Sequence, residues 1–354
     1  MKKTLLLMTI AVVAMTSCKK DQQEQETASV AGIDYRSGAL VSNEGSFGSS
    51  NASVSWISGS IVENDLFNMV NQIPLGDVLQ SIAIHNDKAY AVVNNSAKVE
   101  VLDLKDFTSI ATITGCDYPR HFIGINESKG YITNGSGAGQ VLVVDLSTNQ
   151  IIGNIAVGNG PEKMVHNGTY VFVANSGGWG LDNTVSVIDP TTDTVVETIN
   201  VGDVPMELAV TANNDVLVMA KGYTEYDENW NVINETASEL TIIDGQSLMN
   251  SGNVQIGSIG DHIDQLAISP SGNIAYVELN GVWTFDVTTG ELSGAQLISE
   301  DFRSVDVDPN NGDIYVTTVP DYVNTDEVKV YSSAGDLIRT HSVGIAPNGV
   351  TFYE

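Results

Sequence analysis

Residues 183–205 read NTVSVIDPTTDTVVETINVGDVP, and the fold follows from how this stretch is parsed. Thr184–Ile188 and Val195–Val201 are short runs rich in Val, Ile and Thr, residues that suit a pleated, half-buried strand. Pro190-Thr191-Thr192-Asp193 between them has turn chemistry. Just upstream, Lys163–His166 and Tyr170–Ala174 are two further runs of this kind, joined by the hairpin signal Asn167-Gly168. None of the four is long enough to suggest a helix, so the unit reads as four short strands.

The stretch ends in Val201-Gly202-x-x-Pro205, and this ending recurs as Val157-Gly158 before Pro161 and Val343-Gly344 before Pro347. Leu75-Gly76 before Leu79 is a degenerate copy, and Pro119, Asp264 and Phe302 occupy the same slot in the remaining units. The residues just after the slot are Gln80, Arg120, Glu162, Met206, Gln265, Arg303 and Asn348, at successive spacings of 40, 42, 44, 59, 38 and 45. Seven units of about forty residues match the four-strand blade of a β-propeller rather than a helical repeat. Residues 347–354 supply one inner strand and stop. The three strands missing from that blade are expected at Gly38–Val41, Ser53–Ser58 and Asn68–Pro74, so that one C-terminal and three N-terminal strands close the ring and pair its edges. The expected architecture is an all-β, seven-bladed propeller over residues 38–354.

The third strand of five units ends in an aspartate, at Asp103, Asp145, Asp189, Asp244 and Asp286. Aspartates in register could suggest a metal array, but the side chain at this position is expected to cap the following turn through backbone amides. Residues 306–313 resemble a calcium loop faintly and lack the distal Glu, which favours a turn between strands.

Composition narrows the function. Acidic residues number 44 against 15 basic, a formal net charge of −29 with no basic run, which is unsuited to a nucleic-acid partner. Met1-Lys2-Lys3 followed by the apolar stretch Thr4–Ala14 reads as a secretory signal over residues 1–17, too short for a membrane span. The sequence Met15-Thr16-Ser17-Cys18 resembles a bacterial lipoprotein signal in which Cys18 becomes the acylated first residue; an ordinary signal peptide with an incidental cysteine is the alternative. Residues 18–37 begin with the polar run Lys19–Glu26 and read as a tether. A charged patch just after the cysteine resembles the export signal of surface lipoproteins in Bacteroidetes. With Cys18 lipidated, Cys116 has no disulfide partner and reads as a bystander.

The stretch 183–205 resembles the repeat of the YncE-like seven-bladed propellers, over residues 38–354. Together with the lipoprotein signal, the chain resembles the BtuG-type propeller lipoproteins of Bacteroidetes. That resemblance implies a lipid-anchored location on the outer membrane, facing the medium. It also implies capture of cobalamin (vitamin B12) and related corrinoids as ligand rather than cofactor, with transfer to a TonB-dependent outer-membrane barrel of the BtuB type.

Topology points to one end of the ring as the candidate face. Fourth-to-first and second-to-third connections leave a blade at the same end, and here they are long and carry aromatics: Asn43–Asn51 with Phe47, Asn175–Asn183 with Trp179, Lys221–Ser238 with Tyr223, Tyr226 and Trp230, and Val319–Asp326 with Tyr322. Asn134–Gly139 is a further loop at this end. The connections at the opposite end are tight turns such as Asn86-Asp87 and Ser271-Gly272. The seven post-slot residues should ring the channel mouth: Gln80, Gln265 and Asn348 as amides, Arg120 and Arg303 as forked donors, Glu162 as the lone acid and Met206 as an apolar patch. A solvated mouth without a ligand is the plain alternative. A polar mouth with an aromatic rim suits a flat ligand edged with amides, and suits a glycan or a protein surface equally. Trp56 and Trp283 read as blade packing, and His121 and His262 as packing residues near the face that could reach a cobalt axial position. The sequence has no Gly-x-Ser-x-Gly elbow, His-Glu-x-x-His or phosphate loop. The expectation is a binding protein and not an enzyme, with no metal or cofactor; a propeller lactonase, which would need clustered metal ligands in the channel, is the weakest alternative.

Overall fold

The computed structural model describes residues 33–135 and 139–353. The signal segment 1–17, Cys18 and most of the tether lie outside the described residues, as do positions 136–138 of the loop at Asn134–Gly139. Among the described residues no helix is long and apolar enough to cross a membrane.

Seven four-stranded antiparallel sheets form, each running from an inner to an outer strand, and an eighth, two-stranded sheet stands apart from them. The innermost strands are Leu79–His85, Pro119–Asn126, Pro161–His166, Pro205–Val210, Leu266–Ile268, Phe302–Val307 and Pro347–Phe352. Each packs against the next in turn and the last returns to the first, which makes the chain a seven-bladed β-propeller. In the unit parsed above, the strands fall at Pro161–His166, Val171–Asn175, Thr184–Asp189 and Thr194–Asn200, within two residues of the expected runs. The composite blade pairs Pro347–Phe352 with Ala39–Asn43, in the register Leu40↔Thr351 and Val41↔Val350.

Two expectations about that composite blade need correction. Its outermost strand is Ile61–Glu63, not Asn68–Pro74, because the turn at Gly59-Ser60 folds the chain back at once. Residues Leu66–Asn71 instead form a short helix whose Leu66 and Phe67 are fully buried, in the core layer that also holds Trp56, Leu79 and Phe107. The packed domain also starts earlier than residue 38. Tyr35 is buried, donates its hydroxyl to Glu63 Oε2 at 2.7 Å and meets Trp56 edge-to-face at 5.3 Å.

Apolar residues from facing sheets fill the spaces between blades. Phe172, Val185, Leu208, Val216 and Ile243 form one such layer. Tyr90 and Phe122 from neighbouring blades stack with ring centres 3.8 Å apart. The aspartates in register do cap turns: Asp103, Asp145, Asp189, Asp244 and Asp286 each accept backbone N–H groups two or three residues ahead. Residues 308–313 form a turn between strands, with Asp308 accepting from the Asn310 amide. Cys116 is buried, and burial pushes its thiol up to about 11, as befits an inert packing residue.

The glycine of the Val-Gly-x-x-Pro ending has a steric cause. A Cβ at Gly158 would lie 2.6 Å from the Asn175 side chain, and one at Gly344 would lie 2.7 Å from Asn43. Both asparagines end the second strand of the following blade, so the chain leaving the fourth strand of one blade passes directly over the second strand of the next. Gly158→Ala is expected to cost about 1–3 kcal/mol in thermal or denaturant unfolding, as overpacking does. Gly252→Ala, where a Cβ meets nothing within 4 Å, should stay within about 1 kcal/mol of the parent.

Candidate functional site

The mouth is built by a repeated backbone device. In six blades the strand register slips at the post-slot residue, between Leu79 and Ser81, Pro119 and Phe122, Pro161 and Met164, Pro205 and Glu207, Phe302 and Ser304, and Pro347 and Gly349. Gln80, Arg120, Glu162, Met206, Arg303 and Asn348 are therefore the extra residues of β-bulges, which re-aim a side chain that a regular strand would place in a sheet face. In four blades the residue before the slot is left-handed: Val78, Gly160, Val204 and Ala346. Their carbonyls accept from Asn94, Ser176, Lys221 and Glu44 N–H at 2.8–3.0 Å, which ties each corner to the loop beside it.

All seven expected mouth residues line one cavity of about 320 Å³, together with His121, Glu207 and Asp264. Arg120 joins three blades: its Nε donates to Glu162 Oε2 at 2.7 Å, its Nη1 donates to Gln80 Oε1, and its guanidinium lies 5.7 Å from the Tyr118 ring centre. Burial raises Glu162 above the usual carboxylate range, an effect that the Arg120 charge opposes. Arg303 donates to Glu44 Oε2 and to the Tyr322 hydroxyl, with its guanidinium 5.4 Å from that ring's centre. Ser46 Oγ donates to the Tyr322 carbonyl at 2.6 Å, so Arg303 also steadies the loop that carries Phe47. Asn348 is turned inward, donating to the carbonyls of Leu79 and Gln80 and accepting from Ser42 Oγ. Gln265 Nε2 donates to Asp264 Oδ1 at 3.1 Å.

The rim aromatics divide by exposure. Phe47 is 80%, Trp179 98% and Trp230 82% exposed, whereas Tyr226 and Tyr322 are about half exposed and Tyr223 is half-buried. Pro161 pairs with Asn175 and Pro205 with Ala220, so the loops carrying Trp179 and Trp230 emerge at the end where the inner strands begin. Residues 221–238 are more than a loop: Thr224–Tyr226 and Val232–Glu235 pair as the separate two-stranded sheet. His262 holds its base, with Nε2 2.8 Å from Thr224 Oγ1 and Nδ1 3.2 Å from the Lys221 carbonyl. Both ring nitrogens are thereby engaged in packing contacts. Trp56 is buried in its blade, and Trp283 is half-buried with Nε1 donating to Leu279 O.

The post-slot reading did not extend below the mouth, where a narrower cavity of about 120 Å³ is lined by His121, Lys163, Glu207 and Asp306 among others. Lys163 Nζ lies 3.3 Å from Glu207 Oε2, and Asp306 accepts from Val350 N at 2.9 Å. The slips in the second and third repeats skip two residues instead of one, and His121 and Lys163 line this cavity together with Ser81, Glu207 and Ser304, which occupy the same position in other repeats. Polar residues at two consecutive post-slot positions were the available signal. Removal from water pushes Glu207 up to about 7 and Asp306 up to about 6, against the pull of Lys163. The Glu207 charge holds Lys163 protonated, and burial keeps His121 neutral, well below the usual imidazole range. A third opening of about 480 Å³ continues the channel to the opposite end past Val210 and Phe352.

Against this geometry, the family model described as "Domain of unknown function (DUF5074)" matches residues 37–344. The chain belongs to the DUF5074 family. Among curated proteins none matches. Of solved structures, a quinonprotein alcohol dehydrogenase-like protein of Bacteroides thetaiotaomicron is 14% identical with a TM-score of 0.66, over 91% of this chain and 80% of that one. Hydrazine synthase of Kuenenia stuttgartiensis is 17% identical with a TM-score of 0.63, over 80% of this chain and 90% of that one. At such identities these two structures share the propeller fold alone with this DUF5074 chain.

The channel acids make folding pH-dependent. Because Glu207 and Asp306 titrate higher folded than unfolded, the native state holds more protons between the usual carboxylate range and about 7. Their contribution should therefore favour the folded state at low pH and decline as pH rises from about 4 to about 7. Melting temperature measured against pH should show this slope, and Glu207→Gln or Asp306→Asn should each flatten it.

Proposed function

We propose that this protein is a lipid-anchored binding protein of the outer cell surface that captures cobalamin and related corrinoids and passes them to a TonB-dependent barrel. The observation that carries the reading is the coincidence on one face of a rigid polar mouth and of Phe47, Trp179 and Tyr322 from three different blades. A corrinoid is a broad, flat macrocycle edged with amides. Its edge finds matching donors and acceptors in Gln80, Gln265 and the outward edges of the two arginines, while Met206 offers an apolar contact at the floor. Each aromatic contact adds about 0.5–1.5 kcal/mol beyond area burial. Arg120 and Arg303 are already held by Glu162 and Glu44, so little ordering cost falls on binding.

A solvent-facing tryptophan on a loop of a stable scaffold is also the usual platform for a sugar ring, which makes a glycan the competing ligand. A hydrolytic reading would need clustered metal ligands in the channel. Titrating purified residues 19–354 with cobalamin, followed by absorbance and calorimetry, should give saturable binding. Trp179→Ala and Arg303→Ala should each weaken it by about tenfold or more, roughly 1.4 kcal/mol, and Trp179→Ala should leave the melting temperature unchanged. No response at micromolar cobalamin, with binding on a polysaccharide array, would transfer the face to glycans.

A further inference from the structure

Among the described residues, the two-stranded hairpin is the one sheet that belongs to no blade. It interrupts the fourth repeat between Val216–Ala220 and Ala237–Asp244, and among the described residues neither of its strands pairs outside it. An isolated hairpin is marginal in water, yet this one is built to stand. Thr236 Oγ1 donates to Asp203 Oδ2 at 2.9 Å and accepts from Tyr223 N, Thr224 Oγ1 donates to Glu235 Oε1, and His262 props the base. The tip is closed by Asp227, whose Oδ1 accepts from the Asn229 and Asn231 amides.

This bracing presents apolar groups to solvent instead of burying them. Val232 and Ile233 are consecutive and both exposed, so neither face of the ribbon is covered. Tyr226 and Trp230 lie beside them with ring centres 6.0 Å apart, and Ile259, paired with Ala237 at the base, is exposed as well. Around this patch stand Glu225, Asp227, Glu228 and Glu235, and residues 222–238 contain no lysine or arginine.

We propose that the hairpin at 224–235 docks a partner protein whose contact surface is an apolar depression rimmed by lysine or arginine. The exposed aromatic and branched residues supply the anchors that dominate protein interfaces, and the acidic surround selects a basic rim and speeds encounter. An anionic lipid surface would meet these four carboxylates with like charge. A second copy would bring the same acidic hairpin on a chain of net charge −29. The proposal goes beyond ligand capture at the mouth and does not require it.

The test places a photo-crosslinking residue at Ile233 of the full chain, in the cells that make it, with Thr289 at the opposite end as control. The expected result is a protein adduct from 233 and none from 289. Its yield should fall about tenfold in Trp230→Ser and in the pair Glu225→Lys with Glu228→Lys, at unchanged melting temperature. Binding of the purified chain to the captured protein should weaken as salt rises. No adduct, an adduct with lipid or with a second copy, or one indifferent to charge reversal overturns the proposal. Should cobalamin fail to bind while the charge-sensitive adduct forms, only the reading of the mouth falls.

Discussion

Everything in this molecule depends on an antiparallel pairing between its two ends. Pro347–Phe352 lies against Ala39–Asn43, with some three hundred residues between them, and that ladder closes the circle of blades. An open ring would leave two sheet edges free and would let the inner strands spread, and the mouth exists only while those strands are held side by side. Asn348 shows the coupling directly. It belongs to the closing strand, accepts from Ser42 of the N-terminal strand and donates to Leu79 and Gln80 of the first complete blade.

Closure also determines the electrostatics. Seven strands converging on an axis bring side chains from distant repeats within a few ångströms, and water-accessible space narrows toward the centre. Arg120, Glu162 and Gln80 then satisfy one another across three blades, and Lys163 pairs with Glu207 in a cavity shared with Asp306, two acids that burial makes reluctant to ionise. A mouth wired in this way is stiff, and its polar groups are mutually held before any ligand arrives. Of the surrounding loop aromatics Tyr322 joins that wiring through Arg303, whereas Phe47 and Trp179 stay largely exposed, so the face combines a fixed polar centre with an apolar periphery.

The blade count, the strand positions of the parsed repeat, the capping aspartates and the face on which Trp179 and Gln265 both stand were all legible from spacing. These features repeat, and a repeat averages out local ambiguity. The misreadings fall where repetition stops. The composite blade has an atypical outer strand at Ile61–Glu63 and a helix where a strand was expected, because its apolar run could serve either geometry and only the packing of Leu66 and Phe67 into the neighbouring core decided between them. The insertion at 221–238 occurs once, so its hairpin had no second copy to reveal it.

By itself, the order of residues determined how many blades form, where each inner strand begins and which side chains come first within it, because turn chemistry and strand propensity act over a few positions. Only the tertiary structure decided that those first residues would be bulges aimed at the axis, that Lys163 and His121 would turn inward beside them, and that Arg303 would clasp Glu44 from the other end of the chain. Bulge register and charge pairing depend on what stands opposite, and what stands opposite is known only once the ring is shut.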